Sequence, residues 1–191
     1  MMKRIAPMLA GIVLLAGCSS EPITTVNATR AETQTPAIRE SDADVNKDLA
    51  TLRQVTASFH QFDNATAAGW AAKITGCMTD PALGGMGFHY GNTALIDGTA
   101  RVDQPELLLY EPEKNGNLRL VAVEYIIPYT FHSRESAPPV LFGKEFKQND
   151  VFQLWGLHAW VWENNPSGMF ANWNPNVNCD NTTDIMAMAH N

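Results

Sequence analysis

The chain has 191 residues, of which 45% are hydrophobic and five are tryptophan, and this supplies enough apolar surface for one folded domain. Its formal net charge is −7 at pH 7. A surplus of acidic groups is repelled by nucleic acids and by anionic lipid surfaces. We therefore expect no nucleic-acid partner and no membrane attachment through basic residues.

The first eighteen residues have the pattern of an export signal. Lys3 and Arg4 precede an apolar run over residues 5–16, which ends in small residues followed by Cys18. The run is shorter than the roughly 20 residues that span a bilayer. This order is typical of a secretory signal and resembles the lipobox of bacterial lipoproteins, in which the cysteine is acylated. We expect residues 1–17 to be a lipoprotein signal peptide; the alternative is a chance apolar N-terminus with a free cysteine.

The expected location is the bacterial cell envelope, with the mature chain held at a membrane by acyl chains on Cys18. Removing residues 1–17 takes away two positive charges and leaves a net charge of −9, so the acyl chains must supply the attachment. Ser19 resembles the residue that permits outer-membrane sorting in Gram-negative lipoproteins. In a Gram-negative cell we therefore expect the outer membrane, with the protein facing the periplasm.

Cys77 and Cys179 remain as an even pair. An exported chain reaches an oxidising compartment, which favours a disulfide between them. Such a bond would close a loop of about 100 residues. By restricting the unfolded chain, it would raise the free energy of unfolding by roughly 4–5 kcal/mol. A pair of metal-binding thiolates is the alternative, although no Cys-x-x-Cys spacing supports it.

The remaining chain divides into a tether and one domain. Residues 18–40 are polar and Pro-containing without periodicity, which is typical of a disordered tether. Ser41 and Asp44 have the spacing of a capping box that begins a helix. Apolar residues at helical spacing then predict one buried face, and a short second helix follows: Val45, Leu49, Leu52, Val55, Phe59 and Phe62. We expect a single domain over 41–180 and a C-terminal tail over 181–191.

The chain after residue 74 predicts strands joined by turns. Four segments are rich in apolar and β-branched residues: 106–110, 118–127, 140–146 and 151–162. Asn115-Gly116 predicts a hairpin between the first two, and an Asn- and Pro-rich loop follows over 163–180. A helix pair followed by such strands predicts an α+β fold, with the helices packed on a curved, partly barrel-like antiparallel sheet.

Three polar residues form the candidate site. Glu124 and His158 interrupt two of these apolar segments, and His89 lies between Phe88 and Tyr90 in a glycine-rich segment. Glu124 has apolar neighbours on both faces of its strand and is expected to share a face with Leu120 and Ala122. A carboxylate in such a strand needs a partner or becomes neutral. Two imidazoles and one carboxylate are a suitable ligand set for a divalent metal ion with open coordination positions.

These ligand types fit zinc, copper or iron, so the identity of the ion stays open. The three groups could instead form an acid–base group with shifted pKa values, or a buried polar network in which a histidine or a tryptophan N–H holds Glu124. His132 is a candidate fourth ligand, whereas His60 and His190 are expected at the surface. Gly-x-Ser-x-Gly is absent, and we assign no catalytic residue.

Aromatic residues near the C-terminus form a second candidate feature. We expect Trp160 and Trp162 to share the face of His158 and, with Tyr90, to line a small ligand pocket. Core packing is the alternative for these rings and for three others: Trp155, Phe170 and Trp173. Asparagines at alternate positions indicate either a turn-stabilising amide network or polar contacts at a pocket mouth: Asn172, Asn174, Asn176 and Asn178.

Several segments are similar to those of a widespread group of small exported bacterial proteins. They are GMGFHY (85–90), PELLLYE (105–111), VEY (123–125), LHAWVW (157–162), NPSGMF (165–170) and WNPNVNC (173–179). The resemblance covers roughly residues 60–180. It implies an exported domain in which His89, Glu124 and His158 belong to one core pattern, and it implies no particular reaction.

The sequence therefore predicts a lipid-anchored envelope protein with a small pocket of His, Glu and aromatic residues. This pocket is expected to bind a divalent transition metal or a small ligand. The alternative is a non-catalytic structural or interaction lipoprotein whose polar core residues only stabilise the fold.

Overall fold

The computed structural model describes residues 41–187. The expected signal peptide, Cys18 and the tether lie outside this range. Within it, no helix has the length and hydropathy needed to cross a lipid bilayer. The described hydrophobic clusters draw only on positions 45–179, so a chain that starts at residue 18 keeps this whole core.

Two helices precede the sheet. Helix α1 spans Asp42–Thr56, a 3₁₀ turn covers Ala57–His60, and helix α2 spans Phe62–Ala67. The predicted helix start is confirmed, because the Ser41 hydroxyl accepts a hydrogen bond from the backbone N–H of Asp44 at 3.2 Å. The predicted apolar stripe of α1 faces the sheet, where its leucines are buried. Val55 is the exception, because it is exposed.

The strands of residues 41–187 form one large sheet and one small hairpin. They are β1 Ala72–Lys73, β2 Cys77–Asp80, β3 Gly84–Gly91, β4 Leu107–Pro112, β5 Leu118–Pro128, β6 Val140–Leu141, β7 Lys144–Glu145, β8 Lys147–Asn149, β9 Leu154–Ala159 and β10 Ile185–Ala187. The large sheet has the order β10-β2-β3-β4-β5-β9-β8, with β1 also paired to β3, while β6 and β7 form the hairpin. All neighbours are antiparallel except β10 and β2. The sheet curls into a half-barrel beside the helices, which confirms the α+β fold class.

Both faces of the central strands are covered. Along β4, Leu108 and Tyr110 belong to the cluster that contains the helices, whereas Leu107 and Leu109 belong to the cluster on the opposite face. The Tyr110 hydroxyl donates to the carbonyl oxygen of Phe59 at 2.7 Å and ties the sheet to the helical segment. This double cover explains why β4 and β5 are apolar at nearly every position.

A bulge in β5 changes one predicted face. Consecutive residues of β4 pair with Ala122 and Leu120, which leaves Val121 as an extra residue. Leu120 therefore packs in the helix-side cluster. Its predicted place beside Glu124 is wrong, whereas Ala122 keeps the Glu124 face.

Two predicted strands are shorter than expected. The segment 140–146 is the β6–β7 hairpin, because the chain reverses at Phe142 with a φ of 55°. The segment 151–162 contains β9 only, since residues 150–153 form a turn in which Gln153 has a φ of 55°. Tertiary pairing with β8 and β5 sets these limits.

The two ends of the domain are joined covalently and through the sheet. Cys77 and Cys179 form the predicted disulfide across a sequence separation of 102 residues. Strand β10 lies in the segment expected to be a C-terminal tail and pairs in parallel with β2. Lys73 and Asp184 form an ion pair beside this edge.

Candidate metal centre

The site lies on the sheet face opposite the helices. His89 is on β3, Glu124 on β5 and His158 on β9, and β4 separates β3 from β5. Glu124 and His158 are directly paired residues of neighbouring strands. Strands two apart are about 10 Å from each other in a flat sheet. The curl of this sheet and the length of the two side chains bring His89 across β4 to Glu124.

The three side-chain tips converge, as predicted. His89 Nε2 lies 3.5 Å from Glu124 Oε2, and His158 Nε2 lies 3.9 Å from the same oxygen. Each residue offers one ligand atom, and these atoms all lie within 4.8 Å of one another. Two ligands of one tetrahedral ion at about 2.1 Å are themselves about 3.4 Å apart. Only small side-chain movements are therefore needed for the three atoms to coordinate one ion, and the cluster could hold a metal ion.

Burial removes the charges of the three groups in the metal-free protein. Desolvation lowers the pKa of His89 to about 4 and raises the pKa of Glu124 to about 8. Desolvation, followed by repulsion from His89, lowers the pKa of His158 well below its ordinary value. Near neutral pH the histidines are thus unprotonated and the carboxyl is protonated. The close approaches between them are not ion pairs, and the imidazoles are in the form that binds metals.

The two histidines differ in their hydrogen bonds. His89 Nδ1 lies 2.9 Å from the Oγ1 of Thr75, a buried residue that the sequence analysis did not single out. This contact orients the ring, and the tautomer that carries its proton on Nδ1 would leave the Nε2 lone pair directed at Glu124. Both ring nitrogens of His158 are buried and have no hydrogen-bond partner within residues 41–187. A buried polar group left unpaired costs about 1–3 kcal/mol, and a metal ion bound at Nε2 would satisfy one of these nitrogens.

The tryptophans do not hold Glu124. The Nε1–H of Trp160 donates to the carbonyl oxygen of Ala171 at 2.7 Å, and that of Trp162 donates to Thr56 Oγ1 at 3.1 Å. The buried polar network in which an indole N–H satisfies the carboxyl is therefore not formed. Trp160 instead stacks on His158, with ring centroids 6.2 Å apart and an interplanar angle of 11°.

A cavity of about 330 Å³ opens onto the three candidate ligands. Its walls come from β2, β3, β4, β5, β8 and β9, from the turn over residues 150–153 and from the loop before β10. Apolar side chains make up most of its lining: Ile74, Met78, Met86, Leu107, Ile126, Val151, Phe152, Leu154 and Trp173. The candidate ligands therefore have an open side toward a largely apolar space, as in sites that bind small molecules.

The expected pocket aromatics lie elsewhere. Tyr90 points to the helix-side face, where its ring centroid is 4.6 Å from that of Phe62. Trp162 lies beyond the end of β9, against the ring of His60 on the helix side. Trp160 supports His158 without lining the cavity. Alternation along β3 accounts for the position of Tyr90, and the early end of β9 accounts for that of Trp162. Trp173 is the tryptophan that reaches the cavity.

His132 is not a fourth ligand. Its Nε2 lies 2.8 Å from the carbonyl oxygen of Ala137, and its ring packs against Trp155, which belongs to the helix-side cluster. His60 is exposed, as predicted. His190 lies outside the described residues.

The asparagines of the C-terminal loop have two roles. The Oδ1 of Asn174 accepts from the backbone N–H of Asn176 at 3.0 Å, and the side chains of both donate to the carbonyl oxygen of Asn164. This confirms a turn-stabilising amide network for that pair. Asn172 lies in the cavity lining.

Gly156 makes room for the carboxyl group of Glu124. A Cβ at this position would lie 2.8 Å from Glu124 Oε1. Glycine is therefore the residue that lets Glu124 stand between the two histidines. Neither Gly156 nor Thr75 carries a local signal in the sequence, because both act on residues that are distant in the chain.

Comparisons with known protein families, with curated proteins and with solved structures give no match to this chain. The function therefore has to be inferred from the geometry of the His89, Glu124 and His158 cluster.

Proposed function

We propose that this protein binds one divalent transition-metal ion through His89 Nε2, Glu124 and His158 Nε2. The observation that carries the proposal is His158, whose two buried nitrogens lack a partner in the described chain although the residue faces two other ligand groups. A structural polar network is expected to satisfy its members. A site prepared for an ion leaves a ligand atom unpaired until the ion arrives.

Three protein ligands and an adjoining cavity leave at least one coordination position for water or a small molecule. Zinc, copper and iron all accept two imidazoles and a carboxylate, so the proposal names the class of ion. The protein supplies neutral histidines, a carboxyl group that can ionise on binding, and a Thr75 contact that orients His89.

Metal content tests this proposal. Residues 18–191 carrying Cys18→Ser, stripped with a chelator and then exposed to zinc or cobalt(II), should retain close to one ion per chain after gel filtration. Cobalt should give visible absorption bands because imidazole and carboxylate coordinate it. His89→Ala and His158→Ala should lose the ion while keeping native circular dichroism.

His60→Ala is the matched control, because His60 is exposed and lies on the helix side of the sheet. It should retain the ion. Equal metal content in wild type and His158→Ala would contradict the proposal. A metal-free wild-type protein that unfolds on either substitution would favour the structural or interaction role instead.

We further propose that the protein is exported and anchored in the bacterial envelope through acylated Cys18. The N-terminal charge and hydropathy pattern supports this, and the Cys77–Cys179 disulfide is compatible with an oxidising compartment. Full-length protein should fractionate with membranes and incorporate labelled palmitate. Cys18→Ala should abolish the label and release the protein from the membrane fraction, and palmitate labelling that survives this substitution would contradict the anchor.

A further inference from the structure

The cavity beside the candidate ligands has buried polar groups at its floor, and its walls combine apolar side chains with the polar residues of β8 and of the turn after it. His89, Glu124 and His158 form the floor, while methionine, leucine and isoleucine side chains and the ring of Trp173 form much of the wall. A volume of about 330 Å³ corresponds to about eleven atoms the size of a water molecule, at roughly 30 Å³ each. The space therefore fits a small organic molecule better than a solvated ion.

Three exposed apolar residues also lie in the cavity lining, together with exposed polar residues of β8 and of the turn after it. Val151 is 71% exposed, Ile74 is 43% exposed and Phe152 is 36% exposed, and all three lie in the cavity lining. Val151 and Phe152 stand on the turn between β8 and β9, and Ile74 stands on the opposite side, after β1. Exposed large apolar side chains around one opening mark a site for an apolar ligand. The apolar part of that ligand should thus point outward, and its polar part inward.

The charges of the site favour an anion at the floor. A divalent ion bound by one carboxylate and two neutral imidazoles keeps a net charge of +1. Lys147 adds a second positive charge in the lining. Asp150 also lines the cavity, but both of its oxygens accept hydrogen bonds from Arg134, at 2.7 and 2.9 Å. Glu106, whose charge would act on Glu124, does not line the cavity, and its Oε2 accepts a hydrogen bond from the backbone N–H of Ile126 at 3.2 Å.

We propose that the metal-loaded cavity binds a small monocarboxylate with an apolar tail, with the carboxylate on the metal ion and the tail between the apolar walls. This inference rests on the proposed metal site and adds the class of ligand that occupies its open position. A carboxylate is a good oxygen ligand for the same ions that imidazole binds.

Calorimetric titration with a homologous series tests the inference. Acetate, butanoate, hexanoate and octanoate should be titrated into residues 18–191 carrying Cys18→Ser, with one zinc ion loaded and without zinc. We expect octanoate to bind the zinc-loaded chain at least tenfold more tightly than the metal-free chain. Affinity should rise about fourfold for each added methylene group up to octanoate. Octylamine, with the same tail and the opposite charge, should bind far more weakly.

Two lysine variants give a matched comparison. Lys147→Gln should weaken octanoate binding about two- to fivefold at unchanged zinc content, because it removes an exposed charge from the lining. Lys144 lies on the separate β6–β7 hairpin, so Lys144→Gln should leave octanoate affinity unchanged.

Two outcomes would overturn this inference and leave the metal site standing. In the first, a chain that holds one zinc ion binds octanoate and octylamine alike; in the second, the chain binds octanoate equally well without zinc. A chain that takes up no zinc overturns both proposals.

Discussion

The zinc affinity of this protein should rise about tenfold for each pH unit between pH 5 and pH 8 and then level off. In the metal-free protein, desolvation keeps Glu124 protonated up to a pKa of about 8, whereas His89, with a pKa of about 4, and His158 are already neutral. Binding near pH 6.5 must therefore displace one proton, and that proton comes from the carboxyl group. At an exposed histidine site the affinity also rises with pH, but it levels off earlier, once ordinary imidazoles lose their protons near pH 6.5.

Calorimetry in two buffers with different ionisation enthalpies measures the proton count directly. It should give close to one proton per zinc at pH 6.5 and a count that approaches zero above pH 8.5. The control is Glu124→Gln, which keeps the shape of the side chain and removes the titrating group. Its residual zinc affinity should be flat over the same pH range. Release of two protons at pH 6, or a slope that persists in Glu124→Gln, would show that the histidines titrate instead.

His158→Phe should stabilise the metal-free protein and destroy the metal site in the same step. The substitution removes two buried nitrogens without hydrogen-bond partners in the described chain and keeps a flat ring on Trp160. The cavity beside residue 158 accepts the added volume. We expect the free energy of unfolding to rise by about 1–3 kcal/mol. Zinc affinity should fall by more than about 100-fold, since loss of a direct ligand exceeds the loss of its supporting contacts.

Urea unfolding followed by circular dichroism, with chelator present, measures the stability change. His132→Phe is the matched control, because the Nε2 of His132 has a partner in the carbonyl oxygen of Ala137. That variant should be neutral or lose up to about 1 kcal/mol. A destabilised His158→Phe protein would mean that His158 contributes to the fold, as the structural alternative requires. Retained zinc affinity in His158→Phe would remove this residue from the ligand set.

Together, these two expectations describe a protein in which residues of the proposed binding site lower the stability of the metal-free fold. A histidine without hydrogen-bond partners within residues 41–187 and a carboxyl group held neutral by desolvation both oppose folding when no ion is present. Such local conflicts in an otherwise consistent fold are typical of functional positions. The surrounding fold compensates with the Cys77–Cys179 disulfide and with a core packed on both faces of the sheet.

The helices and central strands were predictable because their signals are local. The Ser41 cap, the leucine spacing of α1 and the apolar runs of β4 and β5 depend on neighbours within a few residues. The face of Leu120 was not predictable, since the bulge at Val121 arises from pairing with β4. The position of Trp162 was likewise set by the early end of β9 at Ala159. Tyr90, in contrast, follows from strand alternation, which places it on the face opposite its neighbour His89.

The three candidate ligands were identifiable before any coordinates, because a histidine or a glutamate among apolar neighbours is conspicuous in the sequence. The sequence by itself also determined the cysteine pair and the order of helices before strands. Three features depend on the tertiary structure: the approach of His89 to Glu124 across β4, the Thr75 contact that orients His89, and the cavity beside the three groups. The physical reason is that the curl of the sheet and the packing of separate strands fix these distances, and neither is encoded in any short segment of the chain.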